Sequence, residues 1–349
     1  MEEWMRSTLE GIERYYNPEI RGKVRMDTST NVLGPNPAAR EVMEECLDLD
    51  VNQYPRPYSD ELREALGEFY GLSAENIIAG NGSDEILDII FKSFLNWGET
   101  AVMPYPTYSL HPYFVRINGG DFTHVDLTPE FQLDPDALLS VQGKILILCT
   151  PNNPTGNTFR REDVEELIDQ WGGPVVVDEA YGEFAGESFI PLVEDYPNLI
   201  VTRTFSKAYG MAGMRVGYLA SSPEMVEIMI RSKIPYSLNR ISELMALAAL
   251  RRQDFVERVV SLTDRERPRL ADSLQRLGFD PFPTKANFML ARCPVDSGQL
   301  TAAMDRRGVL IRDFGDRRML ENCVRTTIGT EELNGTLVEN LKEVLERWH

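Results

Sequence analysis

Five short apolar runs, each ending in a turn of glycine, proline or polar residues, constrain this chain more than any other feature. They are Asn76-Ile77-Ile78-Ala79, Ala101-Val102-Met103, Lys144-Ile145-Leu146-Ile147-Leu148, Val175-Val176-Val177 and Leu199-Ile200-Val201. They do not alternate with polar residues, so each suits a strand covered on both faces. Amphipathic stretches lie between them, Asp84 to Phe91 after the first run and Arg161 to Ile168 between the third and fourth. Repeated strand and helix signals predict an α/β unit on a mainly parallel sheet, with Gly217-Tyr218-Leu219-Ala220 as a candidate further strand. After about Ser242 the pattern changes to longer helices, clearest from Glu243 to Arg252. Alternating segments then follow at Ala286 to Leu290 and Val324 to Ile328. The expected division is a large domain over residues 46–240, and a smaller α+β domain made of residues 1–45 and 241–349 that includes an N-terminal arm.

Charge narrows the function. Thirty-six basic against fifty-five acidic residues leave a net charge of −19, which argues against nucleic-acid or anionic-membrane partners. No apolar run approaches the ~18 residues of a membrane helix, and Met1-Glu2-Glu3-Trp4-Met5-Arg6 lacks the apolar core of a secretory signal. Cys46, Cys149, Cys293 and Cys323 are far apart and read as reduced thiols of a cytoplasmic protein. With only His111, His124 and His349 available, no metal site and no Ser-His-Asp triad is expected. The chain has seven lysines and twenty-nine arginines, so a lysine at a strand end stands out.

Ligands of open α/β sheets bind beyond the carboxyl ends of the strands. At those ends the chain places Gly80-Asn81-Gly82-Ser83-Asp84, Cys149-Thr150-Pro151-Asn152-Asn153-Pro154-Thr155-Gly156, Val177-Asp178-Glu179-Ala180-Tyr181 and Thr202-Arg203-Thr204-Phe205-Ser206-Lys207. Taken singly, these are a glycine turn with a helix cap, a proline-ordered loop, a capping aspartate and a solvated lysine. A helix start with free amides and close backbone approach also suits a phosphate.

Jointly, the segments resemble the fold-type I pyridoxal-phosphate aminotransferases, especially the histidinol-phosphate aminotransferase branch. The resemblance also covers Asn52-Gln53-Tyr54-Pro55, Pro104-Tyr105-Pro106-Thr107-Tyr108, the run from Thr204 to Arg215, Leu310-Ile311-Arg312-Asp313-Phe314 and Asn322-Cys323-Val324-Arg325-Thr326-Thr327-Ile328-Gly329-Thr330. It spans about residues 24 to 330 in the family's order. It implies a pyridoxal-phosphate-dependent transferase fold in which Lys207 holds the cofactor as an imine and moves a proton at the substrate α-carbon. It makes Asp178 the partner of the pyridine nitrogen, which turns the ring into an electron sink. Asn153 and Tyr181 become partners of the ring hydroxyl, and Tyr108 the aromatic stacked on the ring. Gly82, Ser83, Asp84, Thr204, Ser206 and Arg215 form the phosphate site, and Tyr54 reaches the phosphate of the neighbouring subunit in a homodimer. Arg325 and Arg312 then bind the substrate's anionic end, with Asn31 bordering the substrate.

The implied reaction takes histidinol phosphate and 2-oxoglutarate to imidazole acetol phosphate and glutamate, in histidine biosynthesis. The partners are thus a small-molecule amino donor and a 2-oxo acid. The family's Asn-Glu-Asn-Pro run appears here as Ser29-Thr30-Asn31-Val32, and its Arg-x-Pro-Tyr-Asn run as the partial match Lys233-Ile234-Pro235-Tyr236-Ser237. These departures leave two alternatives on the same scaffold, a lyase like the threonine-phosphate decarboxylases and an aromatic amino acid aminotransferase.

Overall fold

The computed structural model describes residues 4–12 and 22–347; Met1, Glu2, Glu3 and His349 of the sequence reading lie outside them. The arm contributes a short strand, β1 (Val24–Arg25). Seven strands build the main sheet: β2 (Ile77–Gly80), β3 (Thr100–Tyr105), β4 (Asp121–Asp126), β5 (Ile145–Cys149), β6 (Val175–Asp178), β7 (Leu199–Thr204) and β8 (Gly217–Ser221). Their spatial order is β2-β8-β7-β6-β5-β3-β4. All pairings are parallel except those of β8, which runs antiparallel to both β2 and β7. The carboxyl ends of β2, β3, β5, β6 and β7 therefore open on one edge of the sheet, and the start of β8 joins them.

The apolar runs are explained by what lies on either side. Along β5 to β7, Leu146, Leu148, Val175, Val177, Leu199 and Val201 enter the core beneath the helices Asp60–Tyr70, Arg161–Gln170 and Arg240–Leu250. Their alternates Ile145, Ile147, Val176 and Ile200 enter the opposite core, covered by the helices Gly82–Phe94, Leu110–Ile117 and Pro223–Ile230. Side chains of a strand alternate between faces. A strand buried on both must be apolar throughout. Edge strand β4 is half-buried to exposed along its length and correspondingly mixed in composition.

The tail holds β9 (Asp280–Pro281), β10 (Phe288–Arg292), β11 (Val309–Leu310), β12 (Arg312–Asp313) and β13 (Cys323–Thr327). An antiparallel sheet orders β12-β13-β10-β9, and β11 pairs with β1 of the arm. Met289, Ala291 and Val324 face a separate core with Met26, Leu270, Leu300 and Leu337. Phe288 and Leu290 point the other way, into the main core. The arm is shared between the two cores: Met26 joins the tail's core, while Ala38 and Val42 of the helix Pro37–Glu45 join the main one. Among the described residues no helix is long and apolar enough to cross a membrane, and no group of His, Cys, Asp and Glu could hold a metal ion.

Candidate active site

At the end of β6, Asp178 is 2 % exposed. Its Oδ1 accepts hydrogen bonds from Thr202 Oγ1 and the Ala180 amide, both at 3.1 Å, and its Oδ2 lies 3.1 Å from His111 Nε2. Register places Thr202 directly beside Asp178 on β7. A carboxylate this deep needs such partners, because burial without them costs several kcal/mol. His111, fully buried on the helix Leu110–Ile117, lines the candidate site, although no motif of the sequence marks it. Its signal was position: it stands three residues after Tyr108, and the two rings meet edge to face at 5.3 Å.

Beyond β7, Lys207 Nζ lies 5.2 Å from the centre of the Tyr181 ring and donates to the carbonyl of Thr28 at 3.2 Å. Tyr181 stands edge-on to Phe288 at 4.9 Å, and the Arg325 guanidinium lies 5.0 Å over that same Phe288 ring. Arg325 Nη1 donates to Asn153 Oδ1 and Nη2 to the Asp27 carbonyl at 2.9 Å. Arg312 and Arg325 are register partners across β12 and β13. Burial is the larger cause, and the like charge of Arg312 a further one, that holds the Arg325 guanidinium below its ordinary value. It remains cationic at neutral pH. Two cations directly opposite in a sheet repel, so the pair is suited to an anion bound near both.

The third group gathers around the start of the helix Gly82–Phe94, whose first amides have no partner within the helix. Gly82 has a φ of +83°, and a Cβ there would stand 2.5 Å from Arg215 Nη2. The guanidinium thus covers the glycine closely. At Gly217 a Cβ would stand 2.3 Å from the Ser83 amide nitrogen, so β8 also needs a glycine to reach the helix start. Arg215 Nη2 donates to Asp84 Oδ2 at 2.8 Å and Nη1 to Ser206 Oγ at 3.5 Å, while Thr204 Oγ1 accepts the Ser206 amide at 3.1 Å. Free amides, the Ser206 hydroxyl and a forked cation form an anion cradle, bordered by the Thr204 hydroxyl, which donates to the Val216 carbonyl at 3.4 Å.

Two expected site residues are placed differently from these groups. Tyr54 is 84 % exposed and packs on Tyr236 at 5.0 Å. The Asn31 side chain is turned onto the backbone of the lysine loop, donating to the Ala208 carbonyl at 2.8 Å.

Residues 22–341 match the family model Aminotransferase class I and II. The chain belongs to that family. It is 35 % identical to the histidinol-phosphate aminotransferase of Thermoanaerobacter pseudethanolicus, over 99 % of both chains. To the enzyme of the same name from Pyrococcus furiosus it is 36 % identical over 89 % of each. Among solved structures it resembles the histidinol-phosphate aminotransferase of Sinorhizobium meliloti in complex with pyridoxal-5'-phosphate. That match has a TM-score of 0.86 at 28 % identity and covers 94 % of this chain and 92 % of the other. Pyridoxal phosphate is the cofactor of the family. The residues present fit it: an anion cradle for the phosphate, a buried carboxylate for a ring nitrogen and, next in the chain to Ser206 of the cradle, a lysine whose amine lies over the Tyr181 ring.

Proposed function

We propose that this aminotransferase carries the amino group of histidinol phosphate to 2-oxoglutarate, yielding imidazole acetol phosphate and glutamate in histidine biosynthesis. The observation that carries the reading is the Arg312–Arg325 pair, since both half-reactions present an anion to one site: a carboxylate in glutamate, a phosphate in the other donor. The names and full-length identity of the relatives support the same choice.

When bound, pyridoxal phosphate supplies an aldehyde that condenses with amines and a ring that accepts the electron pair left by the departing α-proton. The chain supplies the rest. Lys207 would hold the cofactor, and its amine, when free, would take the proton from the substrate α-carbon and deliver it to the cofactor's former aldehyde carbon. Asp178, kept in place by His111 and Thr202, would stabilise positive charge at the ring nitrogen. Tyr181 and Asn153 would be the partners of the ring hydroxyl, and Tyr108 would be the aromatic residue stacked on the ring. The amides of Gly82, Ser83 and Asp84, the hydroxyls of Thr204 and Ser206 and the Arg215 guanidinium would hold the phosphate. Arg325 and Arg312 hold the substrate's anionic end.

The division into a large cofactor-holding domain, residues 46–240, and a small domain, residues 1–45 and 241–349, is part of the proposal, with the helices Pro37–Glu45 and Arg240–Leu250 at its boundaries packed against the large domain's core. So is a cytoplasmic homodimer. Leu47, Val51, Tyr54 and Ile234 are each more than 60 % exposed, an apolar face suited to a second subunit that would receive Tyr54 at its phosphate site. All four cysteines are free thiols, in keeping with a reducing compartment.

A donor screen tests the reading. With histidinol phosphate and 2-oxoglutarate, glutamate should form without release of carbon dioxide. Carbon dioxide from threonine phosphate would point to the lyase, and a clear preference for phenylalanine or tyrosine to the aromatic aminotransferase.

A further inference from the structure

The segment before the helix Pro37–Glu45 touches the reactive lysine and its loop at three points. Thr28 O accepts from Lys207 Nζ at 3.2 Å, Asn31 Nδ2 donates to Ala208 O at 2.8 Å, and Asn36 Nδ2 donates to Tyr209 O at 3.1 Å. Asn31 Nδ2 also lies 3.5 Å from the Lys207 carbonyl. Three consecutive residues of the lysine loop are thus fixed from one strand of chain.

The same segment is fixed on its other side to the tail's sheet. Asp27 O accepts from Arg325 Nη2, the Ser29 amide donates to Thr327 Oγ1 at 3.1 Å, and Ser29 O accepts from Asn287 Nδ2 at 3.0 Å. Adjacent carbonyls, of Asp27 and Thr28, therefore hold the arginine and the lysine. Ser29 between these contacts is buried with a φ of +52°, and its hydroxyl has no hydrogen-bond partner. A serine in the left-handed region costs about 1 kcal/mol or more and persists only where surrounding contacts impose it.

From this geometry we infer that Asn31 and Asn36 are positioning residues for Lys207, and that residues 27–36 form a strap tying the lysine loop to the strand that bears Arg325. The inference rests on the reading of Lys207 as the reactive amine. In both asparagines the two ends of the amide have separate tasks. Asn31 Oδ1 accepts the Leu33 amide at 2.9 Å, and Asn36 Oδ1 accepts the Ala38 amide at 3.0 Å as the helix N-cap. Aspartate keeps those local acceptors and the size of the side chain. It loses the NH₂ that grips the lysine loop and sets a negative charge against a carbonyl.

Asn31→Asp and Asn36→Asp in the holoenzyme separate the roles. Each should lower kcat about tenfold, the value of one lost backbone-directed hydrogen bond, and change the KM of the amino donor less than about twofold. Hydrogen exchange supplies a second readout. The Gly210 and Met211 amides close the lysine turn onto Lys207 O and Phe205 O, each at 3.0 Å, and their exchange should quicken by about the same factor. A raised KM with unchanged kcat and unchanged exchange would make Asn31 a substrate contact and overturn the inference. Wild-type behaviour of both variants would overturn it equally. Should Asn31→Asp fail to fold, Asn36→Asp carries the same test on the neighbouring carbonyl. Attachment of the cofactor to Lys207 in wild-type enzyme is checked separately by borohydride reduction, so failure of the strap is distinguishable from failure of the lysine assignment.

Discussion

Asp178 Oδ2 faces His111 Nε2 at 3.1 Å, with both side chains buried. With Thr202 and the Ala180 amide on the other oxygen, every partner of the carboxylate comes from the scaffold. The carboxylate is thus fixed before any ligand arrives, which is what electrostatic stabilisation requires. Asp178→Asn keeps the size and loses the charge. Removal of the substrate α-proton should slow by roughly 10²- to 10³-fold, by analogy with the loss of a charge-stabilising donor. His111→Phe should slow it less, by about tenfold, through loss of orientation. Exchange of the α-hydrogen with solvent deuterium measures both, and an unchanged rate in Asp178→Asn would remove the electron-sink role.

Under the proposed function, Arg312 and Arg325 carry substrate choice. Arg325→Ala should lower kcat/KM for glutamate and 2-oxoglutarate by about 2–4 kcal/mol, up to roughly a thousandfold, through loss of a charge-assisted forked contact. Arg312→Ala should damage the phosphorylated donor more than glutamate. Steady-state kinetics of the two half-reactions, with histidinol phosphate and glutamate as alternative donors, decide whether the arginines divide the work in this way. Equal losses for every donor would contradict it.

His124 gives the fold a pH dependence of its own. It lies 5.0 Å from both the Tyr105 and Phe122 rings, and its buried Nε2 has no hydrogen-bond partner. Burial, then the charge of Arg318, holds its imidazole below the ordinary value. The unfolded chain then binds the proton more readily, so stability is intact above the unfolded value of about 6.5 and is lost as pH falls through the lower folded value. Thermal unfolding should therefore show a smaller drop in Tm from about pH 7.5 to about pH 5.5 in His124→Phe than in wild type. Equal drops in the two proteins would refute it.

The thiols should respond unequally. Burial raises Cys149 well above the ordinary thiol range and pushes Cys293 up to about 12 and Cys323 up to about 11. Cys46 alone is half-buried. Since the thiolate is the reactive form, a disulfide reagent at mildly alkaline pH should modify one cysteine in the native protein and four after denaturation. Rapid modification of more than one in the native state would contradict the burial of the other three.

Strands covered on both faces were legible because nothing polar can occupy them, and the turns at their ends were legible because their residue types are unusual together. Edge strand β4 was not, since Asp121-Phe122-Thr123-His124-Val125-Asp126 is half-exposed and lacks a continuous apolar run. Nor was the role of His111, whose partner lies sixty-seven residues away on another element. Asn31 shows the limit most clearly. Its motif placed it near the substrate, while only the folded backbone shows its amide turned onto the Ala208 carbonyl. Hydrogen bonds between distant segments depend on tertiary approach, which spacing does not encode.

The central claim is that Lys207 is the residue to which the cofactor attaches. Borohydride reduction of the holoenzyme, followed by proteolysis and mass spectrometry, tests it most directly. The label should appear on the peptide containing Lys207 and be absent in Lys207→Ala. A label on any of the six other lysines, such as the buried Lys233, or no label at all in wild-type enzyme, would contradict the account.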